Sequence, residues 1–527
     1  MRKLCVLAAS LGLLVGCIDD PQDPRTWIKK LDNPREQREA VRQLARLKDE
    51  VAYEPLAKLF RQRRDQDVLD AIAKLRSDKA VPLFIEQLDY SDETFEAAAT
   101  AATGLAEIAS RDAKGREAAR AALEALHKAV LKKLPIRTRA NIVKVEAMKA
   151  IAAIRDPSSV ETLNAVLETS ADEQDFFLNK LAAQHLGTFA DKRSIPVLIR
   201  GLFMTGRGKD IFQDCRLALV RIGGDEAVDK LVESMQRKNA RLEEDAKKYE
   251  FVPGIIVQKT SILLGDLRNK RAIPALLAEL KKKDEGLVPG GVSGHQSVLQ
   301  ALGLLGDPSV VKDLIAVASD PKRHSKLRAA AATGLNFLGA TEALPVLLQL
   351  AKTPYFNPKN NEIDTDKALL AAVAVTEYSR LADTDVTDIL RPLYDAAPPD
   401  TDIQVAFKNA LARVAVVKKC GKDIACYGER LAQTDPDKTI VSAISEKAAF
   451  MLGRLGRQAL PVLQKHVAHK DSATRFAVLF SLTRLANKND QGVLQALYDQ
   501  IEIDKTKPPL MPLVDEMRVT AAIISHS

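Results

Sequence analysis

The sequence has little with which to do chemistry. Aromatic residues make up 5% of the chain and Trp27 is its single tryptophan, while Ala and Leu are abundant, a composition that favours helix throughout. The seven histidines, His127, His185, His295, His324, His466, His469 and His526, include no His-Glu-x-x-His pair. His466 and His469 stand three apart near a predicted helix end, which is one way to place two metal ligands. Lys465 and Lys470 flank them and no third ligand is evident, so no metal is expected. There is no Gly-x-Ser-x-Gly, no P-loop, and no Gly-x-Gly-x-x-Gly beside a predicted βαβ unit. No catalytic residue, cofactor or small-molecule substrate is evident.

Cysteine is also scarce, with Cys5, Cys17, Cys215, Cys420 and Cys426. Cys420 and Cys426 lack a second pair to complete a zinc site. They form a local disulfide or remain as two thiols packed on a helix pair; spacing leaves both open. Cys215, within Cys-Arg-Leu-Ala-Leu, is expected as a small core residue. Charge of one sign is not concentrated: 78 basic residues face 70 acidic ones. A nucleic-acid partner would need a basic stripe, so none is expected. The clusters Arg61 to Arg64, Lys281 to Lys283 and Lys418-Lys419 fall at predicted helix ends, where cations complement the helix dipole. Glu243 and Glu244 are expected to be solvated.

The first residues carry an address. Arg2 and Lys3 precede an apolar stretch from Leu4 to Val15, too short for an ordinary membrane span but suited to a signal-peptide core. The run Leu14-Val15-Gly16-Cys17 resembles the lipobox of bacterial lipoproteins. That resemblance implies lipid on the Cys17 sulfur and cleavage before it, with residues 1–16 as signal peptide. Residues 17–33 would then be a lipidated N-terminus and polar tether, and 34–527 the folded body. It implies export and a lipid anchor in the envelope, with the outer membrane facing the periplasm preferred to the inner membrane.

The body repeats. A fourteen-residue frame starts at Leu186, Leu264 and Leu335 and recurs at Ile72, Ile151, Leu219 and Leu302, with a shortened copy at Leu452. Successive starts from Ile151 to Leu335 are 35, 33, 45, 38 and 33 residues apart, which are solenoid periods. In each unit a first helix ends near a Gly or small residue, where a sharp turn is expected, and Asp, Asn or Ser follows. A second helix opens near Pro82, Pro196, Pro274, Pro345 or Pro461. Three stretches interrupt the period, at 236–253, 286–294 and 353–363, and solenoid insertions tend to emerge on one face.

The Leu-Gly…Asp-x-Arg-Ala-Ile-Pro-x-Leu-Leu pattern resembles HEAT repeats, including the HEAT-like repeats of phycobilisome-lyase type. The resemblance implies an all-α solenoid of about 13 antiparallel helix pairs, capped by a final helix at Pro512 to Ile524 with a more exposed outer face. It places the second helices on a concave side suited to wrapping an extended partner. The function implied is a membrane-anchored protein-interaction scaffold of the cell envelope, binding envelope proteins and held to the membrane through Cys17. The alternatives are an envelope assembly factor or chaperone, and a HEAT-like enzyme of lyase type.

Overall fold

The computed structural model describes residues 20–527 except 171, 207, 289–290, 358, 360–361 and 434–437. Cys17 and the expected signal peptide lie outside the described residues. The fold is an all-α solenoid of stacked antiparallel helix pairs, with three two-stranded hairpins as its only described sheet.

One corner recurs and explains the repeat. The first helix ends on a residue in the left-handed conformation, such as Lys48, Arg76, Arg155, Ala190, Arg268 or Gly339. An Asp, Asn or Ser next accepts a hydrogen bond from the amide two residues on. Asp49 accepts from Val51, Asp156 from Ser158, Asp191 from Arg193, Asn269 from Arg271 and Asp307 from Ser309, all at 2.9–3.0 Å. The chain makes one 3₁₀ turn and enters the second helix, in several units with Pro in the first turn, where its missing amide costs nothing.

The motif glycine has a different task from the turn expected of it. Gly265 and Gly303 sit inside their helices, facing the next first helix. A Cβ on Gly265 would lie 3.1 Å from the Ala301 Cα, and one on Gly303 only 2.5 Å from the Gly334 carbonyl oxygen. The missing side chain sets helix spacing, and the left-handed position falls mostly to Arg and Lys.

The described chain divides into two compact units, one ending at His185 and the other running from Leu186 to Ser527. In the first, Gln37–Leu47, Gln66–Leu75, Phe95–Arg111 and Arg137–Ile154 stack side by side. Leu44, Leu69, Ile72, Leu105, Met148 and Ile151 are fully buried there. Part of the expected tether is helical: Pro24–Lys30, capped by Asp23, packs on Gln37–Leu47, and the Trp27 indole donates to the Pro21 carbonyl at 2.9 Å.

In the second unit nine helices face inward: α1 (Phe212–Ile222), α2 (Ile255–Leu267), α3 (Gly294–Leu304), α4 (Ser325–Leu338), α5 (Thr365–Leu381), α6 (Asp402–Cys420), α7 (Lys438–Leu455), α8 (Ser472–Leu485) and α9 (Met511–His526). Each packs on the next, and α9 packs on both α8 and α1, so the series closes into a ring. The final helix therefore does not end the stack with an exposed face. Val514, Met517, Val519, Thr520, Ala521, Ala522 and Ile524 are buried, because α9 is wedged between the last and first members.

Candidate functional site

The first helix of each pair, not the second, lines the inside of the second unit. Contacts across the ring show this. Phe337 of α4 lies with its ring centroid 5.2 Å from Phe480 of α8, and Phe450 of α7 is 5.7 Å from Phe480. Aromatic packing thus joins α4, α7 and α8 on the inside of the ring, and the second helices do not line that side.

Arginines occupy the C-terminal end of the same space. Arg268 follows α2 and donates to the Thr483 carbonyl (3.1 Å) and hydroxyl (2.5 Å) in α8. Arg454 of α7 donates to the Leu381 carbonyl at 2.9 Å, and Arg484 of α8 to the Phe337 carbonyl at 2.8 Å. The fully buried Lys447 donates to the carbonyls of Arg380 and Ala382 at 2.7 and 2.6 Å. These carbonyls end inward helices, where partial negative charge collects, so the cations cap them across the ring. Burial, reinforced by Arg484, lowers the pKa of Arg268 and of Arg454 to about 10.

Two buried ion networks hold the inner helices in register. Glu446 of α7 accepts from Arg413 of α6 at 3.0 Å and from Arg380 of α5, which also donates to Glu377 at 2.9 Å. Arg216 of α1 donates through Nε and Nη2 to Asp266 of α2, at 2.7 and 3.0 Å, and through Nη1 and Nη2 to Glu516 of α9, at 2.6 and 3.3 Å. Burial opposes the charge of Arg216, but Asp266 and Glu516 outweigh it and raise the pKa. At the far end of the same seam the His526 ring lies 2.5 Å from the Arg221 carbonyl oxygen, so α1 and α9 run in the same direction.

The interruptions of the period are built structure. Residues 287–288 and 292–293 pair as β3 (Leu287–Val288) and β4 (Val292–Ser293), and β5 (Phe356–Asn357) pairs with β6 (Glu362–Ile363). A further hairpin, β1 (Thr205–Gly206) with β2 (Lys209–Asp210), falls where no interruption was expected. The hairpins lead into α1, α3 and α5, so they share the end of the ring opposite the arginines. The stretch 236–253 holds a helix, Ala240–Lys248. In it Glu243 is not merely solvated: it pairs with Arg237 at 2.5 Å, and Asp245 pairs with Arg200 at 2.7 Å.

The residues singled out from sequence are placed as follows. Cys420 ends α6 and its Cα lies 5.4 Å from that of Cys426, with the sulfurs at bonding distance. Cys215 is wholly buried in α1. His466 and His469 are each engaged with main chain: His466 Nδ1 lies 2.9 Å from the Val462 carbonyl oxygen, and His469 Nε2 lies 3.0 Å from that of Leu431. Arg64 takes a left-handed helix-ending position, and Lys418 pairs with Asp385 at 2.8 Å. No group of three or more potential metal-ligating side chains occurs among the described residues. No described helix is long and apolar enough to cross a membrane. Sequence reasoning missed Arg216, Asp266 and Glu516; an Asp after Leu-Gly reads as a turn residue, and nothing local links it to positions hundreds of residues away.

Family models match three stretches of the chain. That for HEAT repeats matches residues 295–357, and that for the PBS lyase HEAT-like repeat matches 36–62 and 143–169. No curated protein matches the chain. Among solved structures, importin beta in a polyethylene glycol condition is similar at 13% identity, over 94% of this chain and 76% of that one, with a TM-score of 0.36. Kap95p, in a structure concerned with its binding to RanGDP, is similar at 12% identity over 95% of this chain and 66% of that one, with a TM-score of 0.39. Human deoxyhypusine hydroxylase is similar at 17% identity over 60% of this chain and 96% of that one, with a TM-score of 0.21.

Proposed function

We propose that the chain is a protein-interaction scaffold held at the bacterial cell envelope by lipid on Cys17, with the outer membrane facing the periplasm as its preferred address. The observation that carries the scaffold reading is what fills the second unit's interior. Many of its polar side chains are engaged in ion pairs and main-chain hydrogen bonds that lock helices together. Partners then meet the outward helices and the hairpin-bearing end. The address rests on Leu14-Val15-Gly16-Cys17 and is supported by the Cys420–Cys426 pair, since a disulfide persists in an oxidising compartment. Several acyl chains on one residue make a stable anchor, each buried methylene contributing about 0.8 kcal/mol.

A second reading, an envelope assembly factor, draws on Leu369, Val405 and Phe476, exposed apolar residues of α5, α6 and α8. One experiment separates the two. Cells are cross-linked intact, membranes solubilised, the protein captured and its partners identified, with Cys17→Ala alongside. A reproducible envelope partner, lost when Cys17→Ala releases the protein from the membrane, is the result expected of a tethered scaffold. Many transient, unrelated partners would favour the assembly factor. Palmitate incorporation equal in the variant and the wild type would overturn the lipid anchor.

A further inference from the structure

The tether expected between lipid and body is mostly folded. Cys17 is three residues from Asp20, which allows at most about 11 Å of chain. From Asp20 onward the chain is held. The amides of Gln22 and Asp23 donate to the Asp20 carboxylate and carbonyl, at 2.9 and 3.1 Å, and the Trp27 indole donates to the Pro21 carbonyl. Lipid on Cys17 would therefore bring helix Pro24–Lys30 against the bilayer surface rather than leave it at a distance.

Positive charge collects beside that helix. Residues 20–64 hold twelve Lys and Arg against eight Asp and Glu, a net +4, whereas residues 65–527 together carry +3. Helix Pro24–Lys30 buries Thr26 and leaves Arg25 and Lys29 exposed. Helix Gln37–Leu47 buries Ala40, Val41, Leu44 and Ala45 and sets Arg38, Arg42 and Arg46 along its exposed face, with exposed Arg35 in the turn before it. The two helices pack together and Lys30 meets Glu36 at 3.7 Å, so Lys29 and Arg35 stand at the same end of the pair. Arg63, from one of the clusters expected at helix ends, donates to Gln37 Oε1 and adds to that end. Asp32, Glu36 and Glu39 lie among these cations, and the last two accept from Asn33 and Gln43 at 2.6 Å. Among the described residues, Lys30 and Arg38 are the cations of the two helices that meet a carboxylate, each at 3.7 Å.

We propose that this basic face is a second membrane contact, which lies on anionic phospholipid headgroups and fixes how the first unit stands on the bilayer. The inference rests on the lipid anchor proposed above. Acyl chains alone hold a protein at the membrane without orienting it. They also keep it among headgroups at high local concentration, where side chains that bind weakly from solution act together. An exposed Lys or Arg within a Debye length of an anionic surface, about 8–10 Å, gains roughly five-fold in partition. The short chain from Cys17 brings Arg25, Lys29 and Arg35 toward that range.

Trp27, the one tryptophan of the chain and half-buried in helix Pro24–Lys30, reports on the contact. The acylated protein is placed on vesicles of phosphatidylcholine, alone or mixed with phosphatidylglycerol, each carrying a nitroxide-headgroup lipid that quenches indole emission. Quenching is expected to deepen with phosphatidylglycerol and to lose that gain in high salt. Arg25→Gln/Lys29→Gln/Arg35→Gln, all at exposed positions, is expected to abolish the gain. Lys281→Gln/Lys283→Gln/Lys312→Gln, equal in charge and placed in the second unit, is expected to keep it. Quenching indifferent to phosphatidylglycerol and salt, or reduced equally by both triple variants, would overturn the proposal. Co-sedimentation with phosphatidylcholine alone reads the acyl anchor separately. If the protein stays in solution there, the anchor fails, and the unacylated mature chain, residues 17–527, decides the surface. It is expected to partition at least about tenfold better onto vesicles with phosphatidylglycerol than onto neutral ones. Equal partition would overturn the proposal.

Discussion

Arg216 and Glu516 stand 300 residues apart in sequence, and the guanidinium of one meets the carboxylate of the other at 2.6 Å. This contact joins the first inward helix of the second unit to the last. Asp266 grips the same guanidinium from α2. Removing Arg216 leaves Asp266 buried without its cation, so Arg216→Met is expected to cost about 3–5 kcal/mol. In a double-mutant cycle with Glu516→Gln, denaturant unfolding is expected to return a coupling of about 1–3 kcal/mol. A coupling near zero would mean that α9 does not rest on α1 in solution.

The closest helix approach in the ring predicts a sharper response. A Cβ on Gly303 would meet the Gly334 backbone, which cannot move aside without separating α3 from α4. Gly303→Ala is expected to destabilise the protein by about 1–3 kcal/mol or more, despite the better helix propensity of Ala. Gly492→Ala meets only the Gln464 side chain at 3.4 Å and is expected to change stability by less than about 1 kcal/mol. Equal effects at the two positions would refute the role assigned to the motif glycine.

These two relationships differ in how far the sequence exposes them. The helix pairs were legible because Asp or Asn before the 3₁₀ turn and Pro after it recur at a fixed offset, as at Asp191 and Pro196 or Asn269 and Pro274. Closure was not. It depends on a small rotation repeated at every interface, and no local pattern reports the sum. The ion triad of Arg216, Asp266 and Glu516 looks in sequence like three ordinary surface charges. The β1–β2 hairpin escaped notice because two-residue strands around Gly206 and Gly208 read as a plain loop. Likewise Arg268, Arg454 and Arg484 fall where basic residues complement any helix end, and only the ring turns them toward one another.

A pH response is expected in the first unit. Burial, reinforced by the charge of Lys149, lowers the His185 pKa to about 4 from its ordinary 6.5. Its imidazole is neutral in the folded state over a range where the unfolded chain takes up a proton. The contribution to stability is whole above pH 6.5, falls as pH drops toward 4, and is lost below that, for a total of at most about 3 kcal/mol. Unfolding of His185→Asn followed between pH 7 and 4.5 is expected to show a flatter profile than the unaltered protein. Parallel profiles would show that His185 titrates alike in both states.

The pairing of Cys420 with Cys426 makes a count. Protein isolated with free thiols blocked and denatured without reductant is expected to show one thiol among the described residues, Cys215, and three after reduction. Three thiols before reduction would mean that Cys420 and Cys426 are free, and would remove one support for the exported address.

The most direct test of the account is whether the second unit is closed in solution. Spin labels on cysteines placed at Glu226, just beyond α1, and Ser525, at the end of α9, report the gap between the ends of the series by dipolar spectroscopy. Packed neighbouring helices lie 8–10 Å apart, so with label linkers a single narrow distribution within about 25 Å is expected. A broad distribution at long distance would contradict closure, expose the inner helices as an open concave face, and return partner binding to that face.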